Sequence, residues 1–141
     1  MNDTFTGSVC LFPEATTTNG SYLLDFKKGA FAGLTPIKPF YTKCGKESFQ
    51  LSVGVMDLFL HCYLSLCFAY HRFEVYEMPI IEPNEFLYKN FNFLGKDKAQ
   101  IFQEAVKAIM SEASGKLKSK ANFETKLNYL SEIKGKIIKN T

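Results

Sequence analysis

A polar stretch with the side chains needed to bind an oxyanion follows a short apolar run near the start of the sequence. The run at residues 9–12 is followed by Pro13, Glu14 and three threonines at residues 16–18. This order is typical of a buried strand, predicted over residues 8–14, that delivers polar groups to the rim of a sheet. Ligands of open α/β sheets bind where strands end, and hydroxyls and backbone N–H groups there hold phosphate or ester oxygens. The stretch is therefore a candidate binding site for a phosphate or an ester.

The order of residues from this stretch onward is more specific than a strand end alone. Phe-Pro-Glu-x-Thr stands at residues 12–16, an Asn-Gly turn at 19–20, Phe-Lys-x-Gly-Ala-Phe at 26–31 and Thr-Pro-Ile-Lys-Pro-Phe at 35–40. An apolar helix, a strand near residues 73–82 and an amphipathic helix ending in Ser-Glu-Ala-Ser-Gly follow. The chain thereby resembles the glycerolipid acyltransferase family, with its closest likeness to the lysophosphatidylcholine acyltransferase branch. The resemblance covers roughly residues 8–135.

The resemblance implies an enzyme that moves an acyl group from acyl-CoA to a lysophospholipid or glycerol phosphate at a membrane surface. Acyl-CoA would be a co-substrate, and no bound cofactor or metal is expected. In the family, the histidine of a His-x4-Asp motif is the general base that activates the acceptor hydroxyl. The residues implied to bind the acceptor are Phe12, Pro13, Glu14, Thr16, Thr17 and Lys28. Lys28 would contribute positive charge. A cytosol-facing location on the endoplasmic reticulum membrane is implied in the same way.

Two features depart from the family pattern. The family has glycine after the glutamate of Phe-Pro-Glu, whereas this chain has Ala15, whose methyl group could hinder close approach of a ligand to the backbone. The His-x4-Asp motif is absent, because Leu66 stands five positions after His61 and Tyr76 five positions after His71. No residue of the chain is therefore predicted to be the catalytic base.

We accordingly expect the C-terminal half of an acyltransferase domain, an α/β fold with a mixed sheet flanked by helices. Residues 1–115 are predicted to form this portion, and residues 116–141 a basic amphipathic C-terminal helix. The alternative from another functional class is a non-catalytic lipid-binding or interaction module, either a pseudoenzyme or a subunit completed by another chain. A third interpretation is an incomplete coding sequence, in which a first half carrying the histidine precedes residue 1.

The net charge of +3 is unevenly distributed. Residues 1–88 hold six Lys/Arg and nine Asp/Glu, whereas residues 89–141 hold eleven and five. A lysine-rich tail can adsorb to anionic lipid headgroups, at about 1 kcal/mol per basic residue, or simply form a solvated helix face. Nucleic acid is not an expected partner, because acids are interleaved with the lysines and no recognition motif is present. The 14 phenylalanines suit either a hydrophobic core or contact with acyl chains.

Residues 51–70 are the most apolar stretch and, as a helix, are long enough to span a bilayer. Asp57 and His61 argue against spanning, since an acid near the centre costs about 2.5–3.5 kcal/mol on insertion scales. Their four-residue spacing places them on one helix face, where they could form a local hydrogen bond or a catalytic dyad. We expect a helix that packs on the sheet or lies in the membrane interface.

The four cysteines, at positions 10, 44, 62 and 67, show no Cys-x-x-Cys spacing. The first residues carry no signal-peptide pattern, so reduced thiols in a cytosol-facing protein are expected. His61, Cys62, Cys67 and His71 could suggest a metal, but neighbouring positions of a helix point about 100° apart. Because zinc requires a converging tetrahedral set, no metal site is predicted.

The spacing of apolar residues and the positions of glycine and proline predict the remaining elements. A short helical turn is expected over residues 26–31, and strands over 37–41 and 72–81. Apolar pairs that recur every four residues predict a helix over 96–114 with Gly115 as its C-cap, and a last helix from about Asn122.

Overall fold

Helices and short strands alternate through residues 7–45, 54, 56–68, 70–121 and 123–139, the part of the chain that the computed structural model describes. Its helices are α1 (Leu58–Cys67), α2 (Glu85–Phe91), α3 (Lys98–Ser114) and α4 (Phe123–Lys139), with 3-10 turns at Lys28–Ala30 and Asn92–Leu94. Its strands are β1 (Tyr22–Leu23), β2 (Phe40–Cys44), β3 (Phe73–Glu77) and β4 (Leu117–Lys118). The fold is mixed α/β, in agreement with the predicted class.

The hydrophobic core is built around α3. Phe102, Val106 and Met110, which recur every four residues along the helix, are buried on one face. The core residues packed with them are Leu23, Phe26, Phe31, Leu87 and Ala105. Gly115 ends the helix with φ of +68°, a left-handed conformation that glycine adopts without strain. The helix predicted over residues 96–114 and its glycine C-cap are both confirmed.

Among the described residues, the strands form two separate two-stranded sheets rather than the one mixed sheet predicted. Strands β1 and β4 pair in parallel, and β2 and β3 pair antiparallel. The strand predicted over 37–41 starts late, at Phe40, because Pro39 has no N–H to contribute to the ladder. Ile37 keeps only an isolated bridge to Ile81, which lies beyond the end of β3.

The prediction of a buried strand over residues 8–14 is wrong. This segment has no strand structure and is exposed, with Val9 65% and Phe12 77% accessible. An apolar run forms a strand only when a neighbouring strand satisfies its backbone, and no strand in the described part of the chain pairs with this one. The polar groups that follow are therefore positioned by a turn and by the helices behind it.

The apolar stretch over residues 51–70 contains a shorter helix than predicted. Helix α1 begins after Asp57, whose carboxylate accepts from the Phe59 N–H at 3.0 Å, and ends at Cys67. Asp57 is thus the N-cap of α1. Residues 51–53, 55 and 69 lie outside the described residues. No helix within the described ranges has the length and apolar character needed to cross a membrane.

Helix α2 was not predicted from the sequence. It follows Pro83 and begins after Asn84, whose side-chain oxygen accepts from the Leu87 N–H at 2.9 Å. The helical turn expected over residues 26–31 and the last helix expected from residue 122 are confirmed by Lys28–Ala30 and α4.

Candidate functional site: the residue 12–18 corner

The predicted acceptor-binding residues begin in a tight turn that we call the corner, residues 12–18. The Ala15 N–H donates to the Phe12 carbonyl at 3.0 Å, which reverses the chain directly after Pro13. Ala15 has φ of +54°, in the left-handed region that residues with a Cβ rarely adopt. The corner is therefore shaped by its own backbone.

The end of the corner leads into the predicted Asn-Gly turn. The Gly20 N–H donates to Thr18 Oγ1 at 3.2 Å, and the Ser21 N–H donates to Asn19 Oδ1 at 3.1 Å. Gly20 adopts φ of +78°, which suits glycine. These local bonds fix the direction in which the chain enters β1.

The Glu14 carboxylate turns toward its own chain. Its Oε2 accepts from the Leu24 N–H at 3.1 Å, and the side chain is half-buried. Burial raises the pKa of the Glu14 carboxyl above its ordinary value, while the Leu24 hydrogen bond and the positive charges of Lys116 and Lys107 oppose the shift. Glu14 is thus a hydrogen-bond acceptor that also faces basic groups.

A buried lysine of α3 holds the segment behind the corner. The Lys107 ammonium donates to the Asp25 carboxylate and to the Ser119 carbonyl, the latter at 2.9 Å, and its side chain is only 4% exposed. Next to it, Gln103 Nε2 donates to the Phe26 carbonyl at 2.9 Å. The Lys27 N–H in turn donates to the Pro13 carbonyl at 2.7 Å. The corner is therefore connected to α3 through residues 24–27.

A lysine of α4 reaches the corner from the other direction. Lys126 Nζ donates to Thr16 Oγ1 at 3.0 Å and to the Thr17 carbonyl at 2.7 Å. Burial lowers the pKa of the Lys126 ammonium. Two predicted site residues, Thr16 and Thr17, are thus brought together with a cation that the sequence analysis did not include.

Lys28, the cation that the resemblance implied, occupies a different position. It is exposed in the 3-10 turn and lines an open polar cleft of about 350 Å³. The other lining residues are Asp25, Phe26, Lys27, Gln100, Gln103 and Glu104. Among the described residues, no hydrogen bond or ion pair joins Lys28 to the corner. Its role in binding stays a prediction, as do those of the other five residues.

Sequence comparison finds relatives among lysophospholipid acyltransferases. Lysophospholipid acyltransferase LPEAT1 of Arabidopsis thaliana is 29% identical over 130 residues, which are 92% of this chain and 31% of the relative. LPEAT2 of the same plant is 40% identical over 76 residues, 53% of this chain and 14% of the relative. Lysophosphatidylcholine acyltransferase 2 of Homo sapiens is 30% identical over 110 residues, 76% of this chain and 19% of the relative.

This chain is a homologue of the lysophospholipid acyltransferases. The resemblance to the lysophosphatidylcholine branch is thereby confirmed. This chain spans at most 31% of the length of each of these three relatives. No protein-family model matches it, and no solved structure gives a significant match.

In this acyltransferase homologue, the backbone at Ala15 gives a physical reason for the glycine of the family pattern. A left-handed residue with a Cβ is disfavoured by roughly 1–2 kcal/mol relative to the right-handed conformation, whereas glycine tolerates both. Alanine in place of glycine at position 15 therefore affects the conformational energy of the corner and not only the space available to a ligand.

Sequence reasoning missed Lys107 and Lys126 because their partners are distant in the chain. The Lys107–Asp25 and Lys126–Thr16 bonds join residues 82 and 110 positions apart. The only local signal was the surplus of lysine after residue 88. Within the described ranges, no group of three or more His, Cys, Asp or Glu side chains could hold a metal ion. The four cysteines are free and exposed.

Proposed function

We propose that this chain forms the acceptor-binding part of a phospholipid acyltransferase, which moves an acyl group from acyl-CoA to a lysophospholipid or to glycerol phosphate. The observation that supports this most directly is the corner itself. Its Phe-Pro-Glu-x-Thr residues form a turn held by hydrogen bonds to residues 24–27 and to α4. The lysophospholipid acyltransferases among its relatives support the reaction class.

In the proposed reaction, the acceptor hydroxyl oxygen attacks the thioester carbonyl carbon. A C–O ester bond forms, the C–S bond breaks, and the hydroxyl proton is transferred to a base and then to the departing CoA thiolate. The ionised Glu14 carboxylate would repel a phosphate, so we assign it a different part: it accepts hydrogen bonds and orients Lys107 and Lys116. The Thr16 hydroxyl and nearby lysines are the groups suited to the acceptor phosphate.

The proton transfer requires a base that these 141 residues do not contain in the family arrangement, because neither His61 nor His71 is followed by the required aspartate. General bases contribute about 10²–10⁴-fold to rate. We therefore expect the chain by itself not to transfer acyl groups. Incubation of the purified chain with labelled acyl-CoA and several lysophospholipids tests this. Turnover that persists with contaminating enzymes excluded would contradict it.

The second candidate is a non-catalytic lipid-binding or interaction module, a pseudoenzyme or a subunit completed by another chain. Ala15, which stands where the family pattern has glycine, favours it, and the corner would serve it equally well. The two functions differ in whether a separate polypeptide with a His-x4-Asp motif restores turnover. Restoration supports the acyltransferase, whereas lipid binding without turnover in every such mixture supports the module.

Acceptor binding by the full chain tests the proposal directly. Calorimetric titration with a short-chain lysophosphatidylcholine, at concentrations below micelle formation, is expected to give saturable binding that a monoacylglycerol without phosphate does not match. Glu14→Ala should weaken binding. Glu14→Gln should weaken it less, because an oxygen that can accept from the Leu24 N–H remains. The control Glu82→Ala, at an exposed position, should not change binding. Equal binding of the lipid lacking phosphate would contradict the proposal, and unfolding of Glu14→Ala would assign Glu14 a structural role.

We further propose that the protein acts at a membrane surface facing the cytosol, that of the endoplasmic reticulum by family resemblance. Helix α1 supports membrane contact, because its exposed surface is apolar.

A further inference from the structure

The Lys126 ammonium in the corner is bound only to neutral oxygens among the described residues. Its two acceptors are the Thr16 hydroxyl at 3.0 Å and the Thr17 carbonyl at 2.7 Å. The ion pairs found in the described ranges belong to Lys38, Arg72 and Lys107. Burial lowers the pKa of Lys126, and no attraction to an acid opposes that shift. The corner therefore holds a partly desolvated positive charge that an anion would stabilise.

Lys107 and Lys116, the two lysines whose charges act on the Glu14 carboxyl, differ from Lys126 in this respect. Lys107 is neutralised by its contact with Asp25, and both Lys107 and Lys116 attract the Glu14 carboxylate. Glu14 in turn is bound to the Leu24 N–H. The acid of the corner is thus engaged elsewhere, and of these three lysines Lys126 is the one whose charge no acid of the described residues offsets.

The hydroxyls of the corner complete a set of donors. Thr16 Oγ1 accepts from Lys126, and Thr18 Oγ1 accepts from the Gly20 N–H. A hydroxyl that accepts a hydrogen bond still has its own O–H to donate. The Lys126 ammonium and the hydroxyls of Thr16 and Thr18, two positions apart in the corner, are groups that bind phosphate oxygens.

We propose that Lys126 is the cation that binds the acceptor's phosphate, with the Thr16 and Thr18 hydroxyls donating to the same group. This rests on the proposed function for the presence of a phosphate-bearing acceptor. The phosphate can belong to glycerol phosphate or to a lysophospholipid headgroup, since both present the same oxygens. The C-terminal helix α4 is then part of the binding site, and Lys126 replaces the exposed Lys28 as its source of charge.

The test uses the full chain and sn-glycerol 3-phosphate, with glycerol as the matched probe without charge. Calorimetry is expected to show binding of the phosphate compound alone. Lys126→Gln should weaken that binding about tenfold or more, since one charge-assisted hydrogen bond is lost, and Lys126→Arg should retain most of it. Lys120→Gln, which removes the same charge from an exposed site six positions earlier in the chain, should have little effect. Circular dichroism reports whether each variant is folded.

A second measurement keeps the test independent of the variants. The ¹³Cε chemical shift of Lys126, followed by NMR through a pH titration, is expected to report a higher pKa with glycerol phosphate present and no change with glycerol. Binding that is equal in Lys126→Gln and in the wild type, or a Lys126 resonance indifferent to phosphate, would overturn the proposal. Absence of phosphate-dependent binding to the wild-type chain would overturn it as well.

Failure of this proposal is distinguishable from failure of the proposed function. A titration with short-chain lysophosphatidylcholine shows whether the headgroup phosphate uses the same residue. If that lipid binds and Lys126→Gln is neutral, the phosphate site is elsewhere while the acceptor function stands. If inorganic phosphate binds through Lys126 as tightly as glycerol phosphate does and no lysophospholipid binds, the anion site stands while the acceptor-binding function fails.

Discussion

At Ala15, a single backbone angle connects the sequence of the corner with its stability. The residue adopts φ of +54°, and no other residue type relieves a left-handed conformation as fully as glycine. The strained residue lies between Glu14 and Thr16, whose side-chain hydrogen bonds attach the corner to Leu24, directly after β1, and to α4. A substitution at position 15 therefore changes the energy of the corner without removing any of its contacts.

Ala15→Gly is expected to raise the free energy of unfolding by about 0.5–1 kcal/mol. Relief of roughly 1–2 kcal/mol of left-handed strain outweighs the greater freedom that glycine gives the unfolded chain, about 0.4–1 kcal/mol. Urea denaturation followed by circular dichroism measures the difference. The control is Ala32→Gly, which lacks the positive φ and should lower stability. A loss of stability in Ala15→Gly as large as in the control would contradict the strain assigned to the backbone of Ala15.

Glu14→Gln is expected to flatten the pH dependence of stability. Burial raises the folded-state pKa of Glu14 above its unfolded value, so the folded state holds the proton more tightly. The stability of the wild type therefore falls as pH rises from the ordinary glutamate pKa through the raised pKa. Glutamine does not titrate, so the variant lacks this contribution. Urea denaturation at several values between about pH 4 and pH 7 compares the variant with exposed Glu82→Gln. An unchanged wild-type slope in Glu14→Gln would disprove the assignment.

The sequence predicted the residues of the corner better than it predicted their partners. Phe-Pro-Glu-x-Thr is a local pattern, so Glu14 and Thr16 could be selected from spacing and resemblance. Nothing in the sequence separates Lys107 and Lys126 from the other lysines of the chain, and only the three-dimensional arrangement distinguishes them. Ion pairs and caps made across the fold leave no periodic signal in the chain.

Among the elements, α1 has an unusual distribution of apolar side chains. Phe59, Tyr63 and Leu66 lie at i, i+4 and i+7 on one face and are 84%, 65% and 83% exposed. His61, about 200° around the helix from Phe59, is 7% exposed. The apolar stripe of α1 therefore faces outward, which is the arrangement of a helix that can insert its surface into a lipid interface.

Phe59→Ser combined with Leu66→Ser is expected to reduce binding to liposomes while leaving thermal stability nearly unchanged. Each side chain would lose about 1.5–3 kcal/mol of burial in lipid, and exposed positions contribute little to folding. Liposome flotation measures the binding, with Phe86→Ser plus Phe93→Ser as a control pair of exposed phenylalanines on other elements. Equal losses in the two pairs would mean that α1 has no special part in membrane contact.

Element prediction succeeded where a helix buries a regular stripe and failed where pairing partners are distant or signals are short. The stripe of α3 and Gly115 identified that helix, because burial against one core imposes the four-residue recurrence. Residues 8–14 look like a strand only locally, and the structure supplies no neighbour for them. For α2, Asn84 is an N-cap signal directly before the helix, but a seven-residue helix is too short to show a recurring apolar stripe.

For the molecule as a whole, the uneven charge predicts a salt-sensitive attraction to anionic membranes. The eleven lysines after residue 88 outnumber the acids there by six. Flotation is expected to increase with anionic lipid and to decrease between about 0.1 M and 1 M salt, as the screening length falls from roughly 10 Å to 3 Å. Vesicles of neutral lipid are the control. Binding indifferent to both salt and lipid charge would remove the electrostatic contribution.

Contacts between the first and last parts of the chain are central to the whole fold. Strand β4 pairs with β1, and Lys126 of α4 binds the corner. The division into residues 1–115 and 116–141 stays a prediction, and these contacts show which interactions a truncation after residue 115 would remove.

The parallel pairing of β1 with β4 also affects the time course of synthesis. Tyr22 pairs with Leu117, 95 positions later. At about 5–20 residues per second, a ribosome leaves β1 without its partner for roughly 5–20 s. During that interval the apolar residues 9–12 and the corner have emerged without the helices that hold the corner in place. A nascent chain in this state is a substrate for chaperones, so the translation rate between residues 23 and 117 should influence the yield of folded protein.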